Sequence, residues 1–251
     1  MPEPTMAPQE NAQAIGLLVE RARGSIPTYR QFARLHSLGL IPLRSGRGRM
    51  NGLEIRRGSL DDLGPIVAFL RQHSPAKQFY PVYTEADFAP GATATLGFQV
   101  EDFLVACQRG DVVGVVGLWD RSGSKQAVVR GYSGALGWLK PAIDLAARAA
   151  GAQPLPEPGQ PLRLAYASFI CVADNDPSIF RVLLQRLYRL AGERGYGFLI
   201  VDLAEGDRLL AVARRFPHVT YGRRLYTVGW DDGAYHARLD GRIPFVETAA
   251  L

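Results

Sequence analysis

The sequence predicts an α/β protein (an α+β mixed sheet), with antiparallel strands in its N-terminal part and a parallel pair of strands near its C-terminus. Two observations predict this class. Residues 162–203 read as a strand, a tight turn, a helix and a second strand, and two buried strands joined by one crossover helix must run parallel. Upstream, the apolar runs Phe103–Gln108 and Asp111–Trp119 flank the tight-turn pair Arg109-Gly110, which is typical of an antiparallel hairpin.

The predicted crossover unit carries a local signal at each of its boundaries. Residues 162–172 are apolar with small residues interspersed, as expected for a strand that is covered on both faces. Asp176 precedes Pro177, so a helix N-cap is followed by proline at the first helical position. Gly195 is a suitable helix stop, and residues 198–201 are apolar and β-prone. We expect a ligand outside the carboxyl ends of the two strands.

The remaining segments predict three regions along the chain. Residues 1–50 read as an N-terminal arm or linker, partly disordered, with a helical apolar stripe at 11–23 and the basic loop RSGRGR near its end. Residues 51–231 are the predicted domain, which opens on a short strand and a helix that Ser59 caps. Residues 232–251 form a C-terminal tail, in which the apolar segment 243–246 is expected to lie against the body or a second subunit.

Within the predicted domain, several elements are less regular. Residues 73–88 are rich in aromatic side chains and predict either a loop that walls a pocket or simple cover for the edge of the core. Residues 126–132 predict another antiparallel strand, and residues 133–151 a helical insertion in which Pro141 starts a new helix. Asp207 caps a further predicted helix. Residues 218–221 and 225–230 predict a closing pair of strands.

The composition of the sequence limits the classes of binding partner but identifies none of them. The formal net charge is +5, which favours an anionic partner such as a nucleotide-bearing cofactor, phospholipid or nucleic acid, although a merely soluble basic surface explains it equally well. The sequence shows no motif that supports binding to nucleic acid. Cys107 and Cys171 are interpreted as buried thiols, and four scattered histidines predict no metal site. The absence of a bilayer-length apolar run and of a signal peptide leads us to expect a cytoplasmic protein.

Over residues 53–230 the layout resembles the GCN5-related N-acetyltransferase (GNAT) superfamily. Residues 53–62, LEIRRGSLDD, are similar to the opening strand and helix of that family, I-R-x-A-x-x-x-D. Residues 103–118, FLVACQRGDVVGVVGL, are similar to its hairpin, v-A-x-x-x-g-x-i-v-G. Residues 164–201 match its central acyl-CoA unit in arrangement.

The resemblance implies an N-acyltransferase that uses acetyl-CoA as co-substrate and an unidentified amine as acceptor. In such enzymes pantetheine pairs with the exposed edge of the first central strand, and the pyrophosphate sits at the N-terminus of the next helix. The family usually writes that turn as Q/R-x-x-G-x-G/A, whereas residues 174–181 contain neither glycine. By this resemblance the donor contacts are Phe169, Ile170, Cys171 and Val172 on the strand, and Asn175, Ser178 and Arg181 at the turn and helix.

Acyl transfer to an amine needs a base for the amine and a proton donor for the leaving thiolate. Asp202, at the end of the second central strand, is the candidate base, and Tyr221 is a candidate acid. A loop-capping carboxylate and a packing tyrosine are the alternative interpretations. The candidate acceptor-binding residues are Tyr80 and Tyr83 in the aromatic segment and Arg130 and Tyr132 in the sequence RGYSG.

Three functions remain open at this point. The first is the N-acyltransferase, which the β-α-β unit with small residues on its first strand favours. The second is a non-catalytic GNAT-like module that binds a small ligand or a partner, and the third is a transferase that uses another activated donor, such as an aminoacyl-tRNA. The missing glycines favour the second and third. Dimerisation through the arm or the tail is also left open.

Overall fold

The computed structural model describes residues 28–43, 52–229 and 238–251. Its strands form one mixed sheet with the order β2-β3-β4-β5-β6-β1-β7. They are β1 (Thr28–Leu40), β2 (Glu54–Arg57), β3 (Phe103–Gln108), β4 (Asp111–Trp119), β5 (Leu164–Val172), β6 (Phe198–Ala204) and β7 (His218–Gly229). The helices are α1 (Leu63–His73), α2 (Ala135–Ala149), α3 (Pro177–Glu193) and α4 (Arg208–Ala213).

The predicted mixed sheet is confirmed. The hairpin β3–β4 pairs antiparallel, and β5 and β6 pair parallel across the crossover helix α3. The Asp176 side chain caps α3 by accepting a hydrogen bond from Ser178 N at 2.6 Å. Gly195 follows the helix with φ 74°, a left-handed conformation that costs glycine little. The local signals therefore located this unit correctly.

The prediction that residues 1–50 form an arm or linker is wrong for Thr28–Leu40. This segment is β1, which lies inside the sheet and pairs antiparallel with β6 on one side and β7 on the other. Its apolar anchors Leu35, Leu38 and Leu40 are buried, but polar residues separate them, so the segment has no clear period. The predicted helix at 11–23 and the basic loop at 44–49 lie outside the described residues.

The closing pair of strands predicted at 218–221 and 225–230 is one strand, β7. Gly222, which lies between the two predicted strands, is in the ladder opposite His36 of β1. β1 is 13 residues long and pairs with β7 along its whole length. Only its part from Leu35 to Leu40 also pairs with β6, so the part before Leu35 forms a two-stranded ribbon with β7.

Two predictions between β4 and β5 are also wrong. Residues 126–132 form no strand, but only an isolated bridge between Val128 and Pro161. Pro141 does not start a new helix, because α2 runs through it. Asp144 helps to hold that helix in place by accepting hydrogen bonds from Lys140 Nζ and from Leu155 N, both at 2.8 Å. Among the described residues, we find no helix with the length and apolar character needed to cross a membrane.

Two glycines of β4 allow close packing on the two faces of the sheet. A Cβ atom at Gly114 would lie 2.9 Å from Leu183 of α3, and one at Gly117 would lie 2.7 Å from the ring of Phe98. Residues three apart on a strand face opposite sides. Gly114 therefore seats α3 on one face, and Gly117 seats an aromatic cluster on the other.

We predict that Leu38→Ala lowers the free energy of unfolding by about 2–5 kcal/mol, because the truncation leaves a cavity in the core where a fully buried leucine packed. Urea denaturation measures this change. The matched control is Arg34→Ala on the same strand, whose side chain is 59% exposed and whose loss should change stability by less than about 0.5 kcal/mol. Equal, small effects at both positions would contradict the placement of β1 inside the sheet.

Candidate functional site

The candidate site lies where β5 and β6 separate. The two strands pair only from Leu164 opposite Phe198 to Tyr166 opposite Ile200. Beyond this point β5 contains a bulge, because two residues of β5, Phe169 and Ile170, lie opposite the single residue Val116 of β4. A bulge bends its strand, so β5 turns away from β6. The β6-facing edge of β5 is thereby left without a strand partner among the described residues.

Phe169, the first residue of this bulge, adopts φ 55°, which is uncommon for a bulky side chain. Its ring enters the core, where it forms aromatic contacts with centroid distances of 4.8–5.4 Å. The partners are Tyr83, Phe88, Phe98, Phe103 and Trp119. The side chain of Phe169 thus anchors the bulge, while its backbone N–H stays at the open edge.

The C-terminal tail occupies the beginning of that edge. The Glu247 carboxylate accepts a hydrogen bond from Phe169 N at 2.8 Å. Gln78 holds the preceding part of the tail, donating to Ile243 O at 2.9 Å and accepting from Phe245 N at 2.8 Å. The tail therefore packs against the body, and the backbone N–H predicted to receive pantetheine at Phe169 is already bonded.

Glu247 is a buried carboxyl group, with 7% of the residue exposed. Burial raises the pKa of Glu247 to about 7, and the negative charge of Asp202 adds to the shift, although the Phe169 N–H opposes it. A carboxyl group with this pKa exchanges its proton near neutral pH. The C-terminal tail was not among the predicted catalytic segments, because its sequence has no strong periodicity.

Beyond Phe169, the edge of β5 borders a cavity of about 430 Å³. It is lined by Ile170, Cys171, Val172 and Asn175, four of the residues predicted to contact the donor, and by Tyr80, which was predicted to bind the acceptor. Further lining residues come from the C-terminal end of α1 and the segment after it, namely Gln72, His73, Ser74, Ala76 and Lys77. Of the other predicted donor contacts, Phe169, Ser178 and Arg181 do not line this cavity.

Tyr80, which lines this cavity, carries a hydroxyl group without a partner in the described part of the chain. Its hydroxyl oxygen is buried and has no hydrogen-bond partner among the described residues. Burial raises the pKa of Tyr80 well above its usual value, so the hydroxyl keeps its proton. A buried polar group without a partner is rare and calls for an explanation. Tyr83, the second predicted aromatic contact, is packed against Phe169 instead.

Asp207 joins the loops that follow β5 and β6. Its carboxylate accepts hydrogen bonds from Lys77 Nζ at 2.8 Å and from Asn175 Nδ2 at 2.9 Å. It also caps α4, as predicted, by accepting from Leu209 N. Lys77, which the sequence interpretation missed, thus brings a positive charge to the cavity. Its signal was a single cation within the aromatic segment 73–88.

The turn after β5 has the backbone shape of a glycine turn without the glycines. Asp174 and Asn175 adopt φ 53° and 49°, a left-handed conformation that Asp and Asn tolerate better than other non-glycine residues. Pro177 has no N–H, and the N–H of Ser178 donates to the Asp176 carboxylate. The N-terminus of α3 is therefore partly closed by the protein's own carboxylate.

Asp202 and Tyr221, the predicted base and acid, lie in one row across the sheet but not in contact. Ser37 of β1 stands between them, paired with Asp202 on one side and with Tyr221 on the other, so about 10 Å separates the two backbones. The buried Asp202 carboxylate accepts a hydrogen bond from the Ser37 hydroxyl. Tyr221 is 47% exposed on the edge strand.

Three further residues were predicted to bind the donor or the acceptor, namely Cys171, Arg130 and Tyr132. Burial raises the pKa of the Cys171 thiol to about 12, so it is not a thiolate nucleophile at neutral pH. Both cysteines are free and buried, as predicted. The Tyr132 hydroxyl donates to Pro156 O at 2.7 Å, and Arg130 lies in the same segment before the amino end of β5. These two residues are not brought to the cavity.

The sheet and its connections have the GNAT fold. The structure matches a GCN5-related N-acetyltransferase from Sphaerobacter thermophilus with a TM-score of 0.51 and 12% identity, over 86% of this chain and 55% of that one. It also matches the GCN5-related glucosamine N-acetyltransferase region of a fungal multi-domain GH3 β-N-acetylglucosaminidase, with a TM-score of 0.50 and 15% identity. That match covers 88% of this chain and 23% of the fungal chain.

The chain thus spans about half the length of the first of these proteins and about a quarter of the second. No protein family matches the sequence, and no curated protein is detectably similar to it. At these identities the likeness establishes the fold alone.

We predict that Glu247→Gln gains stability relative to the unsubstituted protein as the pH rises. A carboxyl group whose pKa is raised on folding stabilises the protein below its unfolded pKa and loses that contribution as the pH passes through the folded value. Glutamine keeps an acceptor for Phe169 N and does not ionise. From about pH 5 to about pH 8 the difference should change by roughly 3 kcal/mol in favour of the variant, measured by urea denaturation.

The control for this experiment is Glu205→Gln, at a side chain that is 59% exposed and lies just beyond β6. Its difference from the unsubstituted protein should stay nearly constant over the same pH range. A pH-independent difference for Glu247→Gln would contradict a buried carboxyl group that binds a proton near neutral pH.

Proposed function

We propose that this GNAT-fold protein is an N-acyltransferase that takes its acyl group from acetyl-CoA and passes it to an amine. The observation that carries the proposal is the cavity of about 430 Å³ at the carboxyl end of β5. Its volume lies within the usual range for small-molecule sites. Its place, outside the carboxyl end of a parallel strand, is where ligands bind in open α/β sheets.

The lining of the cavity suits the pantetheine arm of a CoA thioester. The edge of β5 from Ile170 to Val172 offers backbone groups that no strand pairs on the β6 side among the described residues, and pantetheine carries amides that are able to pair with such an edge. The orphan hydroxyl of Tyr80 offers a further donor. These features support the proposal on chemical grounds and are independent of the fold comparison.

For the phosphate end of the donor we propose Lys77, with His73 beside it on the cavity wall. In this assignment the ammonium group takes over a role that the glycine-rich turn and the helix N-terminus serve in the family. Lys77 is already paired with Asp207, so a bound phosphate would share its charge. Acetyl-CoA supplies the activated acyl group, and the residues named here bind and orient it.

We place the base for the acceptor amine at Glu247, ahead of Asp202. A pKa of about 7 suits a group that must both accept and release a proton near neutral pH. Asp202 is committed to the hydroxyl of Ser37, and it acts through its charge on Glu247. Tyr221 is too exposed and too far across the sheet to serve as the paired acid in this assignment.

A second candidate function is a GNAT-fold module that binds a ligand and transfers nothing. Two observations favour it. Glu247 already occupies the N–H of Phe169, and the Asp176 carboxylate already occupies the N–H of Ser178. Both are internal groups at positions where an acyl-CoA would otherwise bind.

We predict that CoA and acetyl-CoA bind the full chain and that Lys77→Gln weakens this binding by about tenfold, because a charge-assisted hydrogen bond to phosphate is lost. Glutamine retains a donor for Asp207, so the fold is preserved. Calorimetric titration measures the dissociation constants. The control is Arg71→Gln, since Arg71 is an exposed cation on α1 that does not line the cavity.

A folded protein that binds neither CoA nor acetyl-CoA would sink the acyltransferase proposal. Equal weakening by Lys77→Gln and Arg71→Gln would remove Lys77 from the site. If binding is seen but a panel of amines releases no free CoA from acetyl-CoA, the module is the better description. Release of CoA that Glu247→Gln abolishes without weakening binding would support the assigned base.

A further inference from the structure

Helix α2 presents an apolar face to the outside of the protein. From Gly137 to Ala149, every exposed side chain except Arg148 is apolar. Trp138 is 90% exposed and Leu145 69% exposed, and Leu139 lies beside them at 55%. On a helix of 3.6 residues per turn, Trp138, Leu145 and Ala149 form one stripe. Large apolar side chains grouped in this way mark an interaction surface.

The outward orientation of this face is set by the polar side of the helix. Lys140 and Asp144 point toward the body, where their side chains are 14% and 13% exposed and lie 2.8 Å apart. Lys140 also pairs with Glu157 at 2.6 Å, and Asp144 accepts a hydrogen bond from Leu155 N. Rotating the helix to bury Trp138 would break these contacts. The helix is therefore amphipathic with its apolar side facing away from the protein.

The segment that contains this helix carries a positive net charge. Residues 127–163 contain four cations, namely Arg130, Lys140, Arg148 and Arg163, against the two carboxylates Asp144 and Glu157, which gives a local net charge of +2. Both carboxylates are paired with Lys140. Arg130 and Arg148 are exposed, and Arg148 borders the apolar stripe on α2.

We propose that α2 docks this protein on a membrane surface that contains anionic phospholipid. In this arrangement Trp138, Leu139 and Leu145 enter the boundary between headgroups and acyl chains, and Arg148 and Arg130 contact the lipid phosphates. A helix with an apolar face that carries Trp and Leu, bordered by basic residues, is suited to lie in the plane of such an interface. The helix attaches the protein without crossing the bilayer.

Charge favours a lipid surface over a second copy of the chain. A symmetric contact between two α2 faces would bring two copies of this positively charged segment together, and the carboxylates of this region are already paired with Lys140. An anionic lipid surface instead supplies the missing negative charge. The proposal does not depend on the acyltransferase activity, because α2 does not line the cavity at the carboxyl end of β5.

The test is sedimentation of the full chain with phosphatidylcholine vesicles that either contain or lack phosphatidylglycerol. Binding should require phosphatidylglycerol and weaken as salt is added. Trp138 emission should shift to shorter wavelength on binding, and Trp138→Phe assigns that signal. Leu145→Ser should reduce partition at least about fivefold, and Arg148→Gln about fivefold. The matched control is Leu60→Ser, since Leu60 is 70% exposed elsewhere on the surface.

Three results would overturn the proposal. The first is that the folded protein does not sediment with vesicles that contain phosphatidylglycerol. The second is that Leu145→Ser and Leu60→Ser reduce partition equally, which would show that the α2 face is not the contact. The third is concentration-dependent self-association without lipid that Leu145→Ser abolishes, because the face would then be an interface between copies of the chain.

Discussion

The bulge at Phe169 determines the geometry of the site, because one extra residue bends β5 away from β6. The ring of Phe169 lies at the centre of the aromatic cluster, and its backbone N–H holds the C-terminal tail through Glu247. The positive φ of this residue is tolerated because packing on one side and a hydrogen bond on the other over-determine it. Core, open strand edge and tail are thus coupled at a single residue.

Three buried carboxylates lie around the separation of β5 and β6, and each is stabilised differently. Asp207 is paired with Lys77, and Asp202 accepts a hydroxyl hydrogen bond from Ser37. Glu247 receives a backbone N–H but no cation within ion-pair distance among the described residues. This difference explains why burial raises the pKa of Glu247.

The two proposed interaction regions lie at different ends of the β5–β6 pair. The cavity adjoins the carboxyl end of β5, where Lys77 supplies positive charge near an open strand edge. Helix α2 belongs to the segment that precedes the amino end of β5, and it exposes its apolar side. A protein held on lipid through α2 would keep its cavity free for a soluble donor.

The hairpin β3–β4 and the unit β5–α3–β6 could be predicted from the sequence, because caps, turns and apolar periods are local signals that need no distant partner. The family resemblance also indicated the edge from Ile170 to Val172 as the place for a donor, which stays a prediction. The place of β1 between β6 and β7 depends on tertiary contacts, because polar residues separate its buried leucines and leave no clear period in the sequence. Chain packing likewise brings Lys77 and Glu247 to the site. These two residues are respectively 94 residues before and 76 residues after Cys171 in sequence, and a local pattern carries no information about contacts that only chain packing creates.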